Sequence, residues 1–96
     1  MPKHSQDIPE NFAEYERTLA RAIGERIRQR RVYLQLRQEN IRTKMELEGV
    51  YISRTQFSRI ESGQSLPKAS EIIALAAVLR ISYSWLLLGH KEDIQG

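Results

Sequence analysis

One short stretch sets two arginines, a threonine and a serine on a single side of a helix: Ile52-Ser53-Arg54-Thr55-Gln56-Phe57-Ser58-Arg59-Ile60-Glu61-Ser62-Gly63. Both ends of that helix are written into it. Ser53 suits the N-cap, and Gln56, three residues on, suits its reciprocal partner in a capping box. Ile52 and Phe57 then stand where a hydrophobic staple needs them. Gly63 supplies the left-handed residue that stops a helix. Phe57 and Ile60 are three apart, so they share a face that must be buried. Arg54, Thr55, Ser58 and Arg59 take the other side as i, i+4 pairs. That outer face has donors and acceptors on short or rigid side chains, and no acid. Such a surface fits the edges of bases in a DNA major groove.

Glu61 falls four residues after Phe57, toward the buried side. A carboxylate there needs a partner. The elements that position this helix must therefore supply a cation.

The chain has 96 residues, enough for one domain with a single modest core. Hydrophobic residues make up 41%, an ordinary share for a folded domain. Cysteine is absent, which excludes disulfides and thiolate metal sites. The two histidines, His4 and His90, sit near opposite ends and read as surface imidazoles, so no metal site is expected. No apolar run approaches the ~20 residues that cross a bilayer. The leader MPKHSQDIPE lacks a signal-peptide core, so a cytoplasmic protein with no membrane partner is expected. The net charge is only +3, but residues 17–44 alone carry +7 while 1–16 carry −3. That clustering suits a phosphate-rich partner.

Residues 1–8 read as a flexible leader. Pro9 suits the first position of a helix. Phe12, Tyr15, Leu19, Ile23 and Ile27 then recur every three or four residues, the pattern of an amphipathic helix. Leu34, Ile41 and Met45 continue the same phase, with no proline between Glu10 and Gly49. Periodicity alone therefore allows a single rod from about 10 to 48. Gly49 is a plausible C-terminal cap before the turn Gly49-Val50-Tyr51-Ile52. After Gly63 and a short loop to Pro67, residues 70–79 read as a helix with Ile72, Ile73, Ala76 and Leu79 on one face. Ser82 caps a last helix with Trp85, Leu86 and Leu88 facing inward, and Gly89 ends it. Residues 90–96 form a polar tail. With no strand-like alternation, the fold class is all-α, with about five helices.

Five fragments in order carry a family resemblance. They are Gly24-x-Arg26-Ile27-Arg28-x-x-Arg31, Leu36-x-Gln38-Glu39-x-Ile41, Ile52-Ser53-x-x-x-Phe57-Ser58-x-Ile60-Glu61-x-Gly63, Pro67, and Leu75-Ala76-x-x-Leu79-x-Ile81-Ser82-x-x-Trp85-Leu86-x-x-Gly89. Together they resemble the Cro/lambda-repressor (XRE) helix-turn-helix family over residues 23–89. The resemblance implies a five-helix lambda-repressor-like domain, here with an extended N-terminal helix over 9–22. It implies a break near residue 36, a second helix at about 38–48 and a recognition helix at 53–62. It also implies that Arg31 is the partner Glu61 needs. Compared with the most compact members, the chain is longer between Gln38 and Ser53, which resembles a longer-turn subgroup. Arg37 stands where a Ser or Thr usually caps the second helix, Arg42 where a small alanine is usual, and Arg80 where a left-handed glycine is common.

The resemblance implies a double-stranded DNA partner. By family position Arg54, Thr55 and Arg59 read base edges; arginine pairs with guanine N7 and O6, and a threonine methyl meets a thymine methyl. Arg37, Gln38, Arg42, Ser58, Ser62, Gln64, Ser65 and Lys68 are the phosphate candidates. Such a small reader is expected to act as a homodimer on a palindromic site, with half-sites about 10 base pairs apart or a multiple of that. Phe12, Tyr15 and Leu19 offer the apolar surface for a second copy. The expected function is a bacterial or phage transcription regulator, a repressor, without cofactor. The alternatives are an antitoxin-like protein that holds a protein partner and regulates its own promoter, and a helical module without sequence preference. There is no Gly-rich phosphate loop, metal-ligand spacing or nucleophile–base pair, so catalysis is not expected.

Overall fold

The computed structural model describes residues 10–91. The 1–8 leader, Pro9, His4 and the end of the 90–96 tail lie outside the described residues. Five helices follow in order: α1 (Glu10–Tyr33), α2 (Gln38–Leu47), α3 (Arg54–Glu61), α4 (Ala69–Leu79) and α5 (Tyr83–Leu88). Helix α1 packs on α3, α4 and α5, while α2 packs on α3 and α4.

The core forms where the apolar stripes of these helices meet. Ile23 and Ile27 of α1, Ile41 and Met45 of α2, Phe57 and Ile60 of α3, Leu75 and Leu79 of α4 and Leu86 of α5 are all closed to water. Each such side chain contributes roughly 1.5–3 kcal/mol by leaving water. Ile52, next to the cap of α3, is buried in the same cluster as Phe57.

The single rod from 10 to 48 does not form. Helix α1 ends at Tyr33, and Gln35 takes a left-handed φ of 60°. Three bonds hold the turn: Gln35 N–H to Val32 O, Leu36 N–H to Arg31 O, and the Arg31 guanidinium to Leu36 O at 3.0 Å. Of the stretch between Gln38 and Ser53, residues to Leu47 form α2 and the rest form the loop behind it, where Gly49 adopts φ 95°.

Local caps account for most helix ends. Ser53 Oγ accepts from Gln56 N–H at 3.0 Å, and Ser82 Oγ accepts from Trp85 N–H at 3.0 Å. Only half of the expected capping box at α3 is present, because the Gln56 amide turns away toward Ser65 Oγ, 3.5 Å off. Arg37 does not cap α2 with its side chain; Asn40 Oδ1 accepts from the Arg37 N–H at 2.8 Å instead. Glu71 does the same for Lys68 N–H at 2.8 Å. Arg80 ends α4 at φ 60°, ψ 52°. A side chain in that conformation costs roughly 1–2 kcal/mol.

Two inward assignments are corrected. Ile73 is 58% exposed, because α4 turns Glu71, Ala74, Leu75, Ala76 and Leu79 inward, with Ile72 half-buried against the core, and leaves Ile73 outside that face. Leu88 is 59% exposed, because α5 is only six residues long and ends there.

The arginine cluster of residues 17–44 is also divided by the fold. Arg30 is buried; its Nε donates to Leu79 O at 2.8 Å and its guanidinium lies 4.9 Å from the centre of the Tyr33 ring. Arg26 donates to Leu86 O at 2.8 Å. Both cations thus meet the carbonyl ends of α4 and α5, where the helix dipole favours positive charge. With Arg31 they serve the fold, so less of the local +7 is free for an outside partner than the sequence suggests.

Candidate nucleic-acid interface

Helix α3 is anchored from behind. Arg31 Nε lies 2.6 Å from Glu61 Oε2 and Arg31 Nη2 lies 3.1 Å from Oε1. This two-bond grip uses the planar fork that only arginine offers. The Glu61 side chain is only 6% exposed, so its charge depends on these partners. Gln38, at the start of α2, adds a third bond: its Nε2 donates to Glu61 Oε1 at 2.9 Å. Ser58 Oγ then donates to Gln38 Oε1 at 3.1 Å. The chain Arg31–Glu61–Gln38–Ser58 ties α1, α2 and α3 into one rigid unit.

The front of α3 is open. Arg54, Thr55, Ser58 and Arg59 are all exposed. With Ser62 and Gln64 they line a shallow depression of about 630 Å³. No carboxylate lines it, and neither Arg54 nor Arg59 has an ion pair among the described residues. A second depression, about 300 Å³, lies beside it at the start of α2; Arg37, Gln38, Glu39, Arg42 and Arg54 line it. Arg54 belongs to both, so the two form one continuous surface.

The other candidates divide. Arg37 is exposed and free to reach outward. Arg42 spends its Nε on Ile52 O at 3.3 Å, which braces the turn after α2, and it also lines the second depression. Ser58 spends its hydroxyl hydrogen on Gln38, whereas Gln38 spends one amide hydrogen on Glu61 and keeps a second. Ser62 Oγ turns back to Arg59 O at 3.2 Å. Gln64 is exposed and Ser65 half-buried. Lys68 stands apart, in a hollow lined also by Tyr51, Ser53 and Gln56, away from the face of α3. Phe12 and Tyr15 are 60% and 61% exposed, whereas Leu19 packs against the protein's own core.

Sequence reasoning missed the Gln38–Glu61 and Ser58–Gln38 bonds. Their only trace is the need of Glu61 for partners, and that need does not specify more than one. It also missed Asn40, although Asn three residues after Arg37 is the spacing of a capping residue.

A family model described as a helix-turn-helix domain matches residues 22–83. The chain belongs to the Cro/lambda-repressor-like helix-turn-helix family. In this helix-turn-helix chain α2 packs on α3, with α1 also against α3 and α4 also against α2. The chain is 36% identical over 70 residues to the HTH-type transcriptional regulator DicA of Escherichia coli (strain K12). That alignment covers 73% of this chain and 48% of the relative, so the chain spans about half the length of the curated protein it matches. No solved structure matches it. The family is one of helix-turn-helix domains rather than of enzymes. Among the described residues, no helix is long and apolar enough to cross a membrane.

Proposed function

We propose that this chain is a sequence-specific reader of double-stranded DNA and a transcription regulator, repressing by occupying its operator. The observation that carries this reading is the acid-free face of α3, with Arg54, Thr55 and Arg59 exposed in front and Arg31 gripping Glu61 behind. Arg54 and Arg59 address guanine edges and Thr55 a thymine methyl. Arg37, Gln64 and Arg42 hold the flanking phosphates. The printed name of the DicA relative, a transcriptional regulator, points the same way. The site of action is the bacterial or phage-infected cytoplasm.

Selection from a random DNA pool supplies the test duplex. Against it, Arg59→Ala loses about 1–3 kcal/mol at one base position and little on random DNA. Arg37→Ala weakens binding to every sequence and flattens the salt dependence by about 1 in log–log slope. Equal weakening of selected and random DNA by Arg59→Ala would refute its role as a base reader.

The reader works as a two-fold dimer through the edge of α1 that carries Phe12 and Tyr15. What favours this edge is two large aromatic side chains left in water on one helix face. Sedimentation equilibrium checks it: the natural chain runs as a dimer, and Phe12→Ser with Tyr15→Ser runs as a monomer. An unchanged dimer removes this edge from the interface. A natural chain that is itself monomeric favours a different protein as the occupant, the antitoxin-like reading.

A further inference from the structure

Helix α1 has two unlike edges. Phe12 and Tyr15 occupy one. Glu10, Glu14, Arg17 and Arg21 follow at intervals of four, three and four residues along the other, so they form a single row. That charged row lies on the α3 side. Arg21 rides directly on Gly63, where an added Cβ would meet its Cγ at 2.8 Å and its Cα at 2.9 Å. Arg17 lines a groove of about 280 Å³ with Gln64 and Ser65 on the opposite wall. Gln64 also lines the depression over the recognition helix. The surface in front of α3 therefore continues without interruption across the α3–α4 loop onto α1.

The two arginines are held by exposed acids. Arg17 Nη2 lies 2.6 Å from Glu14 Oε1 and 3.1 Å from Glu10 Oε2, and Arg21 Nη2 lies 4.0 Å from Glu14 Oε2. The hydrogen bond from Arg17, and its charge, hold the Glu14 carboxyl below its ordinary range. All four side chains are more than half exposed. Ion pairs of this kind contribute little in water. A duplex offers a stronger exchange, because each phosphate neutralised releases condensed counterions.

The geometry points to a second phosphate-binding strip on α1: Arg17 and Arg21 leave Glu10 and Glu14 and take the backbone of the duplex that α3 reads. The strip rests on the DNA-reading function proposed above. The arginines stand one turn apart, roughly 6 Å, which suits neighbouring phosphates of one strand. Glu14 is the internal competitor, placed between both cations. Glu16, on the groove wall beside Arg17, adds a negative charge that the bound phosphate must tolerate. The strip lengthens the footprint beyond the recognition helix and adds affinity without sequence preference.

Anisotropy titrations of the full chain, on the selected duplex and on random duplex over a salt series, test the strip. Arg17→Gln with Arg21→Gln should reduce the slope of log K against log salt by roughly 2 on both duplexes. Glu14→Gln should tighten binding several-fold on both, because it frees the arginines. Trimming the duplex to the bases under α3 should weaken the natural chain and leave the double variant unchanged. A double variant with the natural affinity and slope overturns the strip, as does a Glu14→Gln variant that binds no more tightly. If Arg59→Ala loses discrimination while the double variant is unaffected, the strip falls and the DNA-reading function stands. If the natural chain binds neither duplex, both fall.

Discussion

Arg31→Ala will lower the free energy of unfolding by about 3–5 kcal/mol, because it strands the buried Glu61 carboxylate. The geometry leaves that charge little recourse. Arg31 gives Glu61 two bonds, at 2.6 and 3.1 Å, and the Glu61 side chain is 6% exposed. Gln38 Nε2 remains at 2.9 Å, but an amide dipole does not replace a full charge. The same substitution removes the bond from Arg31 to Leu36 O, which helps to hold the left-handed turn at Gln35. Urea unfolding followed by circular dichroism measures the loss. Arg31→Lys should lose less, since a lysine keeps the charge but cannot span both oxygens. Replacing both partners, Arg31→Met with Glu61→Leu, should lose less than Arg31→Ala alone, because no unpaired charge is left inside. If Arg31→Ala loses under about 1 kcal/mol, well below the range for a broken buried pair, Glu61 does not depend on this partner.

The parts of the fold legible in the chain are those decided within a few residues. Ser53 and Ser82 cap their helices, and Gly63 and Gly89 end theirs with φ of 82° and 80°. Such signals act through one side-chain bond or one dihedral, so sequence spacing carries them. The end of α1 is different. Leu34, Ile41 and Met45 keep the phase of the preceding helix, and Gln35 is no helix breaker. What turns the chain there is the Arg31 side chain and the docking of α2 onto α3 and α4, which periodicity cannot express. Only the family resemblance supplied that break. Helix α4 shows a related limit. Its Ala69–Leu79 sequence is apolar nearly all round, so no stripe distinguishes Ile73, exposed, from Leu75, closed to water. At the site, the open face of α3 was legible because its residue types alternate with a buried Phe57 and Ile60. The engagement of Gln38 with Glu61 and Ser58 was not, because polar side chains at bonding distance across two helices leave no periodic trace.

Gly24→Ala should destabilise the protein by about 1–3 kcal/mol, although alanine is ordinarily the better residue inside a helix by roughly 0.5–1 kcal/mol. Gly24 lies in the middle of α1, and a Cβ there would stand 2.4 Å from Ile60 O and 2.6 Å from Glu61 O. Those are backbone carbonyls at the end of α3, and they cannot rotate away as a side chain would. Relief requires α1 to retreat from α3. Two turns further on the same helix face, Arg31 would then be drawn from Glu61, so the close approach at Gly24 and the ion pair are one device seen at two points. Thr18→Ala, at an exposed position of the same helix, serves as the control and should be neutral or slightly stabilising. Thermal unfolding followed by circular dichroism compares the two. A Gly24→Ala protein as stable as the natural chain would mean that α1 and α3 are not in contact as described. The retreat also tilts the face that carries Arg54, Thr55 and Arg59. Gly24→Ala should therefore weaken binding to the selected duplex more than to random DNA, even at a temperature where the variant is fully folded. Base edges must be met at fixed angles, whereas phosphates tolerate a shifted partner.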